Sequence, residues 1–229
     1  MCGRYTLTNQ KDVVEALEVA LDLTAGNAWW KPRYNVAPTQ PAPVVVQRDG
    51  VRALEMMRWG LVPHWGAEPG GKSSAPLMIN ARVESVTAKQ VYREGMARRR
   101  CLVAADGFIE WARGADKKAK PRPYWFHPEG GGVIAFAGLW TRAGELSSFT
   151  ILTGAPNPLV SPIHDRMPVI LAPAQYAAWL DPAVDAEAAR ALLTVPRAEG
   201  WRVEPVSLRV NAAANDDPAC LAPPDPRPF

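Results

Sequence analysis

The sequence predicts an α+β domain: a curved, mainly antiparallel β-sheet with a barrel-like core and peripheral helices. Three observations carry that expectation. Short apolar runs rich in β-branched and aromatic residues recur at 43–47, 101–104, 133–140, 148–153 and 168–171, bounded by Gly, Pro and Asp as strands usually are. Helical periodicity appears only in short stretches, and these do not alternate with the strand runs as a doubly wound sheet requires. With 229 residues, 48% hydrophobic and 21% charged, the chain has material for one well-buried core.

The elements follow in order. A first helix is expected after Asn9, where Val13, Leu17 and Leu21 share one face. Thr87-Ala88-Lys89-Gln90 reads as a capping box opening a second, which turns Val91 and Met96 inward. Pro173, ahead of Tyr176, Ala177 and Leu180, predicts a third, stopped by Asp181-Pro182, and residues 185–194 predict a fourth. Residues 66–76 read as a mobile surface loop. Five prolines among the last twelve residues mark 212–229 as a Pro-rich tail, irregular or partly disordered, behind a domain of residues 1–211.

Composition excludes several classes. No run approaches the ~18–20 apolar residues of a membrane span, and the polar start argues against a secretory signal. Cys2, Cys101 and Cys220 are far apart and lack a CxxC pair, which fits neither a disulfide framework nor a zinc site. The expectation is a cytoplasmic monomer with reduced thiols and no metal or cofactor. A net charge of +3 permits a nucleic-acid partner without demanding one.

Four places can carry chemistry. Removal of Met1 would leave Cys2 with a thiol and an α-amine on one carbon, and roughly a tenth of such amines are neutral at pH 7. An aldehyde meeting that pair forms an imine, which the adjacent thiol closes to a five-membered thiazolidine, helped by proximity. Asn80-Ala81-Arg82 pairs an amide able to orient an oxygen with a guanidinium able to grip a phosphate. Glu110, between apolar residues and Trp111, should be poorly solvated, with its pKa raised toward neutrality. His164 leads the charged pair Asp165-Arg166, whereas His64 and His127 sit in Pro-containing stretches and read as surface residues. Each also has a plain structural reading: an incidental thiol, a polar loop before a helix, an acid paired with an arginine, a packed histidine. Arg98-Arg99-Arg100 and 117–122 read as solvated basic faces that could help hold phosphates, and Trp59 to Trp65 as packing or as a stacking surface.

Their order is the stronger signal. Met1-Cys2-Gly3-Arg4-Tyr5, Arg33-Tyr34-Asn35-Val36-Ala37-Pro38, Trp59-Gly60-Leu61-Val62-Pro63, Asn80-Ala81-Arg82-x-Glu84, Asp106-Gly107-Phe108-x-Glu110-Trp111 and His164-Asp165-Arg166-Met167-Pro168 together resemble the SRAP family of abasic-site processing proteins, over residues 1 to about 211. The resemblance implies a single SRAP domain of the DNA damage (SOS) response that binds single-stranded DNA and crosslinks to abasic sites through a thiazolidine on Cys2. It implies that Glu110 shuttles the proton that opens the sugar, that Asn80 positions the sugar or the α-amine, and that His164 assists proton transfers around the Schiff base. Arg4, Arg82 and Arg166 would hold flanking phosphates, with Pro38, Trp65, Trp111 and Thr153 near the DNA or the cleft. A lyase-like crosslinking enzyme, nucleoid-associated when on DNA and with a self-processing peptidase activity that exposes Cys2, is the implied whole. Two other readings stay open: a cysteine peptidase or N-terminal-nucleophile amidohydrolase, which needs an oxyanion hole, and a module that recognises damaged DNA without reacting.

Overall fold

A computed structural model describes residues 2–24, 31–68, 72–73, 75–113 and 121–225. In chain order the elements are β1 (Arg4–Leu7), α1 (Val13–Ala16), β2 (Leu21–Asp22), β3 (Arg33–Val36), β4 (Pro41–Arg48), β5 (Val51–Trp59), β6 (Ala67–Glu68), β7 (Lys72–Ser73), β8 (Asn80–Arg82) and α2 (Gln90–Arg98). There follow β9 (Arg100–Ala105), β10 (Gly107–Ala112), β11 (Arg122–Pro128), β12 (Ile134–Ala143), β13 (Leu146–Gly154), β14 (Met167–Pro168), β15 (Ile170–Leu171), α3 (Tyr176–Leu180), α4 (Ala186–Ala191) and β16 (Trp201–Pro205).

One sheet is antiparallel throughout, in the order β16-β11-β10-β1-β3. The larger sheet runs β14-β13-β12-β9-β4-β5-β2. Within it β5 also pairs in parallel with β13, Trp59 against Phe149, so β5, β4, β9, β12 and β13 close into a ring. The mixed, mainly antiparallel and barrel-like architecture expected from the sequence is therefore present, with short helices outside it.

Alternation along the ring strands supplies two apolar layers. Val45, Leu54, Leu102, Ala104, Ala137, Leu139 and Leu152 pack toward Tyr92, Met96, Trp179 and Leu180 of the helices. Val44, Val46, Cys101, Val103, Phe136 and Ile151 pack with Tyr5, Phe108 and Phe126 of the smaller sheet. Burial on both faces explains why these strands read as unbroken apolar runs; each large side chain so buried contributes about 1.5–3 kcal/mol. Cys2 lies in the second layer, fully buried, so the smaller sheet carries the start of the chain into the molecule's interior.

The described residues correct several local expectations. The first helix is only a 3-10 turn, Gln10–Asp12, followed by α1; Glu18 then takes a left-handed φ of 51°, and Leu21 joins β2, 41% exposed. The second helix starts at Gln90 without a side-chain cap, because residues 83–89 form turns in which Ser85 N–H donates to Arg82 O and Lys89 N–H to Ser85 O. Arg100 is no solvated cation: it is 3% exposed, and its guanidinium donates to the carbonyls of Trp179 (2.6 Å), Val184 (2.9 Å), Ala97 (3.1 Å), Met96 and Asp181. His127 lies in β11, stacked 3.8 Å from Trp125, rather than in a surface loop. Of the loop 66–76, residues 69–71 and 74 are outside the described residues, and β6 pairs with β7. Lys117, Lys118 and Lys120 are outside them too.

From residue 212 to 225 the chain is irregular except for the 3-10 turn Pro218–Cys220. The Asp216 carboxylate accepts from the backbone N–H groups of Tyr34 (2.6 Å) and Asn35 (2.8 Å) and pairs with Arg33. In return the buried Asn35 amide donates to the carbonyls of Val210, Ala212 and Asn215. The Arg33-Tyr34-Asn35 motif thus clasps residues 210–216 onto β3.

Candidate active site

The site gathers groups from widely separated segments. β10 begins at Gly107, where the chain must be glycine: a Cβ there would lie 2.3 Å from Trp125 Nε1 and 2.8 Å from Phe126 O. Residues up to Ile109 are fully buried, and the strand carries Glu110 into the same environment, 2% exposed. Burial pushes the Glu110 carboxyl up to about 7. Its Oε2 lies 3.9 Å from His164 Nε2.

His164 is held by the segment that follows it. The Arg166 N–H donates to Nδ1 at 3.0 Å, which leaves the neutral ring's proton on Nε2, facing Glu110. When the ring is charged, the Asp165 carboxylate (3.1 Å) and the Arg166 carbonyl (3.2 Å) can take the Nδ1 proton instead. Burial holds the His164 pKa below its ordinary value. The imidazole beside Glu110 is therefore neutral over much of the range in which the acid titrates.

Cys2 enters from β1. The Asn80 amide Nδ2 donates to the Cys2 carbonyl at 2.8 Å, while its buried Oδ1 has no hydrogen-bond partner among the described residues. Burial first, and the charge of Glu110 second, hold the Cys2 thiol well above its usual pKa. It therefore sits in the interior as an uncharged thiol.

β8 pairs in parallel with β13, Asn80 opposite Ile151 and Arg82 opposite Thr153. Pleating puts Asn80 and Arg82 on one face with the buried Ala81 on the other, and Arg82 is exposed. Thr153 is buried, pairs with Pro168 of β14, and has an Oγ1 without a partner among the described residues. Arg166 is committed: Nη1 and Nη2 donate to Glu84 Oε1 (2.6 Å) and Oε2 (2.9 Å), and Nη2 also to Thr153 O.

On the β1–β10 side, Arg4 lies 5.9 Å over the Trp111 ring. It makes two long bonds, to Gly3 O (3.3 Å) and Asn211 O (3.4 Å), and Asn211 Oδ1 accepts from Trp111 Nε1 at 2.7 Å. Arg4 is a half-buried guanidinium held by carbonyls and an indole, a state that favours an arriving anion. The remaining sequence-predicted residues lie apart. Pro38 is half-buried in the turn before β4, and Trp65 is 71% exposed. Trp65 lines a hollow of about 460 Å³ with Pro63, Gln90, Arg99 and Trp140, whose walls include none of Cys2, Asn80, Glu110 and His164.

The structure adds two residues that sequence reasoning passed over. Glu84 stood inside a quoted motif, but nothing in the sequence gave its partner. Asn211 had no local signal, since its partners Arg4 and Trp111 are remote in the chain.

Comparison with known proteins identifies the family. The family model described as SOS response associated peptidase (SRAP) matches residues 1–213. The abasic site processing protein YoqW of Bacillus subtilis is 35% identical over 96% of this chain and 99% of its own. The abasic site processing protein HMCES of Xenopus tropicalis is 31% identical over 97% of this chain and 78% of its own. A crystal structure of a Bacteroides thetaiotaomicron protein shares the fold, with TM-score 0.83 and 21% identity over 97% of this chain and 99% of that one. On the family match over nearly its whole length, the chain belongs to the SOS response associated peptidase (SRAP) family.

Proposed function

We propose that this protein captures abasic sites in single-stranded DNA covalently, as a thiazolidine on Cys2. Relatives named abasic site processing proteins support the substrate. The observation that carries the chemistry is a sealed carboxyl, Glu110, pushed up to about 7 and facing His164, next to a chain start whose Cys2 carbonyl is fixed by Asn80.

An abasic sugar is mostly a closed hemiacetal, which hides its aldehyde. A carboxyl titrating near neutrality can give a proton to the ring oxygen while the anomeric hydroxyl loses one, and this opens the ring. The neutral α-amine adds to the aldehyde carbon, and the resulting carbinolamine loses its hydroxyl as water to give an imine. Protons for that departure come through Glu110 and His164. The Cys2 sulfur then bonds to the imine carbon, and its proton ends on the nitrogen. One water is released overall. Asn80 Oδ1, a buried acceptor without a partner among the described residues, suits the amine or a sugar hydroxyl.

The order of events follows from the thiol. Efficient cysteine nucleophiles have a depressed pKa, whereas this one is raised. That speaks against a peptidase-like first attack by sulfur and for the amine leading, with sulfur following intramolecularly. The reading requires removal of Met1, which lies outside the described residues. Self-processing that removes Met1, with Glu110 and His164 moving the protons, is part of the proposal. DNA would be held by Arg4 and exposed Arg82, with Thr153 and Trp111 lining the cleft and Pro38 and Trp65 serving the flanking strand. The protein would act as a monomer in the cytoplasm, on the nucleoid when bound. Among the described residues no helix is long and apolar enough to cross a membrane.

The deciding experiment mixes the mature protein with single-stranded DNA carrying one abasic site and resolves the products on a denaturing gel. The expected result is a slow-migrating band that disappears with Cys2→Ala and with a retained Met1. No such band, or one indifferent to Cys2, overturns the proposal.

A further inference from the structure

The geometry points to Glu84 as a positioning residue of the capture reaction, acting through Arg166 on the orientation of His164. The inference rests on the function proposed above, and its test separates the two.

Glu84 takes both ends of the Arg166 guanidinium, at 2.6 and 2.9 Å, and the same guanidinium donates to Thr153 O. Three points therefore pin Arg166, whose side chain is only 13% exposed. Its backbone N–H is the donor that fixes His164 Nδ1 at 3.0 Å, and so turns Nε2 toward Glu110. Planar, bidentate pairing specifies geometry as well as attraction, which a single lysine contact would not. The Glu84 carboxyl is held below its ordinary pKa, first by the hydrogen bonds from Arg166 and also by the charge of Arg82, so it is ionised across the working range.

Glu84 also bears on the flanking phosphates expected at Arg82 and Arg166. With its charge in place, Arg166 is largely neutralised, and Arg82 is left as the more available cation. Glu84 is itself 54% exposed, so its loss opens no cavity, although it leaves the 13%-exposed Arg166 guanidinium without its carboxylate. What its loss removes is the lock on Arg166. The charged groups around the imidazole, Glu110, Asp165 and Arg113, stay where they are.

The test compares Glu84→Gln, Glu84→Asp, Arg166→Gln and the double variant in the mature protein, with single-turnover capture of an abasic oligonucleotide. Displacement of a catalytic group by a fraction of an ångström to an ångström costs between about tenfold and about a hundredfold in rate. Glu84→Gln should lower the rate at saturating DNA by about tenfold or more, while affinity for an intact oligonucleotide holds or rises. Glu84→Asp should recover part of the rate. In the Arg166→Gln background, Glu84→Gln should cost nothing further, as expected of one coupled unit. An arm independent of capture uses the ¹⁵N resonances of His164, whose Nδ1 should lose its acceptor signature in Glu84→Gln. Wild-type capture at the wild-type rate in Glu84→Gln, a loss confined to DNA affinity, a full additional loss in the double variant, or an unchanged His164 spectrum overturns the inference. If the wild-type protein itself makes no Cys2-dependent crosslink, the functional proposal falls, and the His164 resonances still decide the positioning.

Discussion

Replacing Glu110 with Gln should make the protein more stable at alkaline pH and not at acid pH. An acid whose folded pKa is raised stabilises the fold fully below its unfolded value, and that contribution is lost as pH rises through the folded value. For Glu110 the window runs from the ordinary 4.5 to about 7. At about 1.36 kcal/mol per pH unit, ionising this carboxyl in its buried place costs up to about 3 kcal/mol by pH 8. The amide is uncharged at every pH, so the variant escapes that cost. The Cys2 thiol, which feels the Glu110 charge, stays protonated in both proteins over this range, so the difference between them reports chiefly on Glu110. Urea unfolding at pH 5 and pH 8 measures it: the midpoint of the variant should move above the wild type between the two, with the same slope. A gap independent of pH, or one that narrows toward pH 8, would refute the claim that burial governs this carboxyl. The same variant should lose only the part of the capture reaction's pH dependence that comes from Glu110, keeping the rise that the α-amine gives as it deprotonates above about pH 7.

Two further outcomes test how DNA is held. Arg82→Ala should lower affinity for single-stranded DNA and reduce the slope of log affinity against log salt by about 0.7, the amount expected for one phosphate contact; an unchanged slope removes Arg82 from the phosphates. Trp65→Ala should cost about 1–3 kcal/mol of single-strand binding if a base stacks on it, with no change in the unfolding midpoint, since the ring is 71% exposed. A shifted midpoint with unchanged affinity would make Trp65 a packing residue.

The strands legible in the sequence were those buried on both faces, because a ring strand such as Val44 to Val46 reads as an apolar run whichever side it turns. Those missed have mixed faces or polar ends. β1 begins at Arg4, β8 reads Asn-Ala-Arg, and β10 holds Glu110 and Trp111 within a strand that runs straight out of the buried Phe108 and Ile109. One omission was avoidable: Asp49-Gly50 joins β4 to β5 with φ of 47° and 84°, the backbone of an Asp-Gly hairpin turn. The helices were overextended for the opposite reason, since a repeat of Val13, Leu17 and Leu21 does not reveal that Glu18 will turn left-handed. At the site, the poor solvation of Glu110 was readable from its neighbours, as was the company of His164. The Glu84–Arg166 pair and the Asn211 contacts were not, because each joins segments that local pattern cannot relate.

Burial that costs stability at Glu110 has a second effect at Cys2. A thiol next to an α-amine at an exposed terminus would ionise readily, and thiolates are the form that oxidants and electrophiles attack. In the interior, with the Glu110 charge nearby, the thiolate is disfavoured and the sulfur stays unreactive until a partner is brought to it. In the proposed capture the imine would supply that partner: once the aldehyde carbon is bonded to the α-nitrogen, the sulfur would stand one bond from closing a five-membered ring, and effective molarity would replace nucleophilic strength. On the proposed function, selectivity for an opened sugar would follow from this arrangement without a pocket that recognises the missing base. A group with no aldehyde would never form the imine, and the thiol it meets would stay protonated.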